Sequence, residues 1–285
     1  MEPAQLKALL RLLDDPDPTV QAHIEKVFIE MGREAIPLLE QQWLETQDPI
    51  AQRRIEELLE AVQLEVVGQA LYAWRMEPQQ PLLPALLYVA QLRYASLDVA
   101  KYTNAYRRLV HTTWLNLPSH GDPLERFLAI NRQIFLHERF QPERTRPQAS
   151  RYFFLHEVLD TRRGNSFSLS VLYYLLASEL GLGVGLIAIG DRYLIRYFDG
   201  TLHFYIEPYY RGFILLPDQL KGILRGAGLS DNLAHYRALS PPYVILRLIQ
   251  HLEEAYEQEG EVSWRQLYAK LRARIEPQRE GGGTI

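Results

Sequence analysis

The most constraining feature of this sequence is a helix with no solvent face. Between Leu169 and Leu182 the residues Leu169, Val171, Leu172, Leu175, Leu176, Ala177, Leu180 and Leu182 cover more than one helical face, so the helix must be buried most of the way round. The rest of the chain has to wrap it. Gly164-Asn165-Ser166 precedes it with short side-chain oxygens that can accept bonds from its first free amides, and Gly181 and Gly183 end it. The run from Val184 to Phe198 is rich in Ile, Val, Leu and Tyr, and Asp199-Gly200 then gives the strongest two-residue hairpin signal in the chain. A turn that pairs Phe198 with Thr201 sets Arg192 opposite Glu207, with Cβ atoms roughly 5 Å apart on one face. The spacing therefore predicts a cross-strand ion pair between Arg192 and Glu207.

What surrounds that helix reads mostly as more helix. An amphipathic segment over 4–13 is followed by Asp17-Pro18, a cap and a first helical position, and Val20, Ile24, Val27, Phe28 and Met31 then recur at steps of three and four. Gly32 closes that helix, another runs from Glu34 to Leu44, and Asp48-Pro49 caps a longer one toward Trp74. Two helices joined by an Asp-Pro turn, with a second such turn about thirty residues on, read as one or two HEAT-type units packed on the core. Pro81 and Pro84 interrupt the pattern before helices over 86–94 and 99–114; Asn116 to Gly121 is a loop, and Asp122-Pro123 caps a helix to about His137. Gln141 to Ser150 reads as an extended surface connection. After the hairpin come a short helix near Leu220 and a helical pair from Ser240 to Ile275, turning at Gly260. That pair is expected to dock on the core, since an isolated pair buries little.

At 285 residues and 47% hydrophobic content the chain has enough apolar side chain for a sizeable core. The sequence has no cysteine, which removes disulfides and thiolate metal sites together. A net charge of −4 with both signs interspersed gives no global pull toward nucleic acid or an anionic membrane. No run reaches the length of a membrane span, and Met1-Glu2-Pro3-Ala4-Gln5 lacks the look of a signal peptide, so a cytoplasmic location is expected. The eight histidines show no metal spacing, and no phosphate-binding glycine loop is present.

Arg162-Arg163-Gly164-Asn165-Ser166-Phe167-Ser168-Leu169-Ser170, the Leu-Gly-Leu helix ending, Tyr193-Leu194-Ile195-Arg196 and Phe204 to Tyr209 together resemble the transglutaminase-like core of SirB-type bacterial proteins. Ile130-Asn131 and Gln133-Ile134-Phe135 extend the resemblance upstream, and Leu12-Leu13-Asp14-Asp15-Pro16-Asp17 is similar to the helical lead-in of some members. The resemblance implies a papain-like α+β core, a buried helix packed on a small antiparallel sheet. The wider superfamily uses a Cys at the start of the core helix, a His on the next strand and an Asp on the one after. The matching positions here are Ser166, Arg192 and Glu207. A thiolate nucleophile needs a thiol and a base to activate it, and Arg does not give up its proton near neutral pH. The inherited chemistry is thereby excluded.

Each candidate residue has a structural alternative beside its functional one. Ser166 is either a stand-in nucleophile or a helix cap. Arg192 and Glu207 either hold a ligand, the guanidinium forking onto a carboxylate or phosphate, or satisfy each other. Arg162 and Arg163, with Asn165 and Arg192, either form an anion site beside the core helix or belong to a solvated surface. His156 is the histidine to inspect as a surrogate base.

The sequence thus predicts a predominantly helical α+β protein: helical HEAT-like residues 1–120, a transglutaminase-like core over 121–230, a helical pair over 231–275 and a flexible tail over 276–285. Its expected role is a non-catalytic binding or scaffolding module, with another protein as partner and no cofactor, metal, nucleic acid or membrane. The alternatives are a hydrolase or acyltransferase using Ser166 and a sensor of an anionic ligand near Arg162, Arg163 and Arg192.

Overall fold

Asp-Pro pairs set the start of three helices in the first half of the fold. The structure, a computed structural model, describes residues 9, 17–119, 122–226, 228, 229 and 236–276. The helix expected over 4–13 and the tail beyond Glu276 lie outside the described residues, Leu9 excepted. Helix α1 (Pro18–Met31) is capped by Asp17, whose carboxylate accepts from Thr19 N at 2.8 Å, and Gly32 closes it at φ +59°. Helix α2 (Ala35–Glu45) and the long α3 (Pro49–Met76) follow, the latter capped by Asp48. Ile24, Phe28, Ile36, Leu39, Ile55 and Leu58 form their shared core.

Helix α4 (Leu82–Gln91) begins four residues before the expected start. Pro84 sits in its first turn, where amides have no intrahelical partner and a missing N–H costs nothing. Helix α5 (Val99–Leu115) is capped by Asp98, and α6 (Pro123–Asn131) by Asp122. The helix predicted to continue to His137 instead changes pitch, and Arg132–His137 is a π-helical turn. Strand β1 (Gln141–Pro142) pairs in parallel with β2 (Arg163–Gly164) across a 3-10 turn (Ser150–Phe153) and α7 (Leu155–Thr161). The expected surface connection over 141–150 is therefore pinned at its start. Buried Glu143 pins it further, accepting from Thr145 N at 2.7 Å.

Helix α8 (Ser166–Glu179) is the central helix, and ten of its 14 residues are buried. Against it lies an antiparallel sheet in the order β3 (Val184–Ile189), β4 (Arg192–Phe198), β5 (His203–Glu207) and β6 (Phe213–Leu215). The apolar run from Val184 is thus two strands, split by a tight turn at Gly190 and Asp191. The predicted two-residue hairpin is corrected as well: Phe198 pairs with His203 and not with Thr201. Asp199 Oδ1 accepts from both Thr201 N and Leu202 N, at 2.9 and 2.8 Å, which holds the loop open over four residues. A shift of two positions leaves every side chain on its predicted face.

Strand alternation divides the sheet between two cores. Leu186, Tyr193, Ile195, Phe204 and Ile206 face the main core with α8, whereas Ile187, Ile189, Leu194 and Tyr205 pack on α9 (Pro217–Gly226). Helices α10 (Pro241–Glu259) and α11 (Val262–Ile275) complete the fold, with Gly260 between them at φ +77°. This pair docks. Leu248, Leu252, Leu267 and Leu271 join Leu64, Leu71 and Trp74 in the main core, and Arg75 Nη1 donates to Ile275 O at 2.6 Å. The architecture is α+β and predominantly helical.

Candidate functional site

The first turn of α8, the start of β4, the end of β5 and the inner face of α10 converge on a cavity of about 400 Å³. Asn165 sets the helix end: its Oδ1 accepts from Ser168 N at 2.9 Å while Ser168 Oγ accepts from Asn165 N at 3.0 Å. This reciprocal capping box corrects the expectation that Ser166 is the cap. Asn165 Nδ2 also donates to Pro147 O at 3.1 Å, tying the 143–150 loop to the cavity rim. Ser166 is left free for another contact. Its Oγ accepts the backbone N–H of Tyr193 at 3.0 Å, a bond across 27 residues of sequence that joins α8 to β4. Among the described residues no side-chain base is bonded to that hydroxyl.

Arg192 and Glu207 close on one another. Nε and Nη2 of Arg192 donate to the two carboxylate oxygens of Glu207 at 2.9 and 3.0 Å. The four-residue loop places them diagonally and not face to face, but a long arginine spans a diagonal. The Glu207 side chain is 4% exposed and that of Arg192 is 38% exposed, so a buried carboxylate is met by a half-buried guanidinium. Burial raises the Glu207 carboxyl above its usual range, and Arg192 opposes that shift. The Arg192 guanidinium also lies 5.5 Å from the Tyr210 ring, on the cavity wall.

The four residues expected to gather around an anion do not share one surface. Asn165 and Arg192 line the cavity. Arg162, in the left-handed conformation that ends α7, donates to Glu138 at 3.0 Å and to Leu159 O at 2.8 Å, and packs over Phe140. Arg163 pairs with Glu143 at 3.3 Å, and together with the loop amides this holds the Glu143 carboxyl down at about 2, the Thr145 amide being the largest cause. Neither lines the cavity.

His156 is not beside Ser166. It is buried among Tyr94, Tyr102 and Phe154, and that burial lowers its pKa to about 4. The histidine at the cavity is His251, on α10, which sequence reasoning missed. Its Nε2 lies 2.7 Å from Tyr193 Oη, and its Nδ1 lies 3.5 Å from Glu254. Arg247 Nε donates to the same Tyr193 oxygen at 3.2 Å. The local signal was slight: Arg247, His251 and Glu254 fall on one face of the helix, and His251 is the one polar residue among its buried positions. Among the described residues no group of three or more His, Asp and Glu side chains is placed to hold a metal ion, and no helix is long and apolar enough to cross a membrane.

The cavity therefore offers aromatic walls from Phe153, Phe167, Tyr209 and Tyr210, the Arg192 and Glu207 ion pair, and the polar groups of Ser166, Asp191 and His251. Such a lining suits holding a small group or side chain. The sequence supplies no thiolate, and among the described residues no base is bonded to the serine.

A family model described as transglutaminase-like superfamily matches residues 100–250. The sequence is also 26% identical over 188 residues to a "UPF0162 protein" of Xylella fastidiosa strain 9a5c, a match that covers 62% of this chain and 65% of the relative. A "UPF0162 protein" of Xylella fastidiosa strain Temecula1 / ATCC 700964 matches to the same extent, so this chain spans somewhat less than two thirds of the length of either relative. No solved structure matches.

Proposed function

This chain belongs to the transglutaminase-like superfamily, and from that premise we propose that it is a SirB-type, non-catalytic member whose cleft binds another protein. One observation carries the reading: Arg192 and Glu207, the positions the sequence resemblance matches to the superfamily's strand His and Asp, form a closed bidentate pair. Neither member of such a pair is available to shuttle a proton to Ser166. Ser166 itself is committed to the Tyr193 amide, and cysteine is absent from the sequence. The residues 1–120 and 231–275 on either side, read as HEAT-like helices and a docked helical pair, supply the scaffolding part of the role. The same reading places the protein in the cytoplasm.

The test is a fragment and short-peptide screen by two-dimensional NMR. Saturable shifts at the amides of Ser166, Tyr193 and Tyr210, with no new product signals, are expected. Ligand turnover that Ser166→Ala abolishes would overturn the reading, as would a cleft that no probe perturbs. A second reading, a hydrolase or acyltransferase using Ser166, is favoured by one observation: His251 lines the same cavity as Ser166. The turnover arm of the screen decides between the two.

A further inference from the structure

Tyr193, His251, Arg247 and Glu254 form a chain of polar contacts between β4 and α10. Arg247 Nε is always a donor, so the Tyr193 oxygen accepts from it at 3.2 Å, and the Glu254 carboxylate beside Nδ1 favours the His251 tautomer in which Nε2 accepts the tyrosine's hydrogen at 2.7 Å. His251 Nε2 is then unprotonated, and its hydrogen sits on Nδ1, facing Glu254 at 3.5 Å. Tyr193 belongs to β4 and His251 to α10, and the bond spans 58 residues of sequence. Two further bonds join α10 to the cavity rim: Ser150 N and Oγ each donate to Glu259 at 2.8 Å.

A second proton on His251 is disfavoured in this arrangement. Nε2–H and Arg247 Nε–H would both point at the Tyr193 oxygen, and the tyrosine hydrogen would lose its acceptor. We infer that the Tyr193–His251 bond is a proton-operated latch between α10 and the cleft floor, holding while His251 is neutral and releasing that wall of the cleft when Nε2 is protonated. This rests on the reading of the cleft as a binding site only for its consequence, which is that acid alters access to the site. The latch itself stands on the geometry.

The groups facing His251 set the direction. Phe153 and Phe167 enclose the ring at 5.0 and 5.5 Å, and together with Arg247 on its own helix they disfavour a cation there. Glu254 on α10 and Asp191 at the turn between β3 and β4 favour it, while Tyr243, at the start of α10, acts on Tyr193 and Arg247. Burial is the largest effect and keeps His251 neutral below its ordinary range. The latch is therefore closed at neutral pH and opens on the acid side.

Hydrogen exchange on the full chain without ligand tests this, read as protection factors so that the intrinsic pH dependence of exchange is removed. In the native protein, protection of 150–153 and of α10 near His251 is expected to fall about fivefold or more between pH 7.5 and pH 5, the size of one lost hydrogen bond. His251→Gln keeps an acceptor for Tyr193 but cannot be charged, so the acid step should vanish while protection at pH 7.5 survives. Tyr193→Phe should show the reduced protection at both pH values. An acid step that persists in His251→Gln, or native protection at pH 7.5 in Tyr193→Phe, would overturn the latch. Thermal melts show whether either variant remains folded. Because no ligand is present, a working latch with an unoccupied cleft would sink only the binding reading, and a ligand-binding cleft with no acid step would sink only the latch.

Discussion

Arg192 and Glu207 concentrate the account at the scale of single residues. Glu207 is almost fully buried while Arg192 is half in water, so removing the arginine strands a carboxylate in the fold. Arg192→Met is expected to cost about 2–3 kcal/mol at pH 7, below the range for a wholly buried pair because one partner is exposed. The cost should shrink toward pH 5, because burial raises the Glu207 carboxyl and a neutral carboxyl tolerates the loss. Urea unfolding at the two pH values measures both effects. Gly212 supplies a second prediction. Its φ is +75°, and an added Cβ would overlap the Asn131 carboxamide, which donates to Gly212 O at 2.8 Å and accepts from Tyr173 Oη at 2.8 Å. Gly212→Ala should cost about 2 kcal/mol or more, and Asn131→Ala in the same chain should relieve part of it. Comparing the double variant with the two single ones by urea unfolding isolates that overlap. Arg192 was expected directly opposite Glu207; the observed register makes them diagonal neighbours, and only their shared face, which a shift of two preserves, was legible. The sequence reading could not see that Arg162 and Arg163 have partners of their own, because Glu138 and Glu143 are set beside them by chain folding and not by spacing.

Elements were legible where their signals are local. Asp17-Pro18, Asp48-Pro49 and Asp122-Pro123 each begin a helix as predicted, because cap and first-turn chemistry lie within four residues. The hairpin was legible in its faces and not in its length, since the Asp199 side chain replaces a two-residue turn with a wider one. The helix cap was misread between neighbours: Asn165 does the capping, and Ser166 reaches Tyr193. Asn165→Ala should accordingly cost about 1–2 kcal/mol, by losing both the cap and the loop tie to Pro147, and more than Ser166→Ala. Thermal melts of the two variants rank them, and the reverse order would restore Ser166 as the cap. The π-helical turn after α6 had no signal at all, because its residues suit either pitch.

At the scale of the whole molecule, the junction between the first helices and the core carries a pH dependence. His156 sits among Tyr94, Tyr102 and Phe154, with its pKa lowered to about 4 by burial. Stability from a neutral, buried histidine is complete above the unfolded pKa near 6.5 and is lost as pH falls toward 4, at up to about 1.4 kcal/mol per pH unit. His156→Phe keeps the aromatic packing and should flatten that part of the acid profile, read as the difference between the two proteins' unfolding free energies from pH 7 to pH 4.5. The buried central helix, the mainly helical fold and the small sheet were readable from apolar periodicity. The cavity was not, because His251 is brought to Tyr193 by the docking of α10, which no local pattern encodes.

The central claim is that the superfamily's chemistry is absent from a cleft that is otherwise formed. Intact-mass analysis after incubation with a fluorophosphonate, on the native chain and on Ser166→Ala, tests it most directly. No adduct is expected on either protein, since among the described residues no base is bonded to the Ser166 hydroxyl. A one-to-one adduct at Ser166 that disappears in the alanine variant would contradict it and make the cleft an active site.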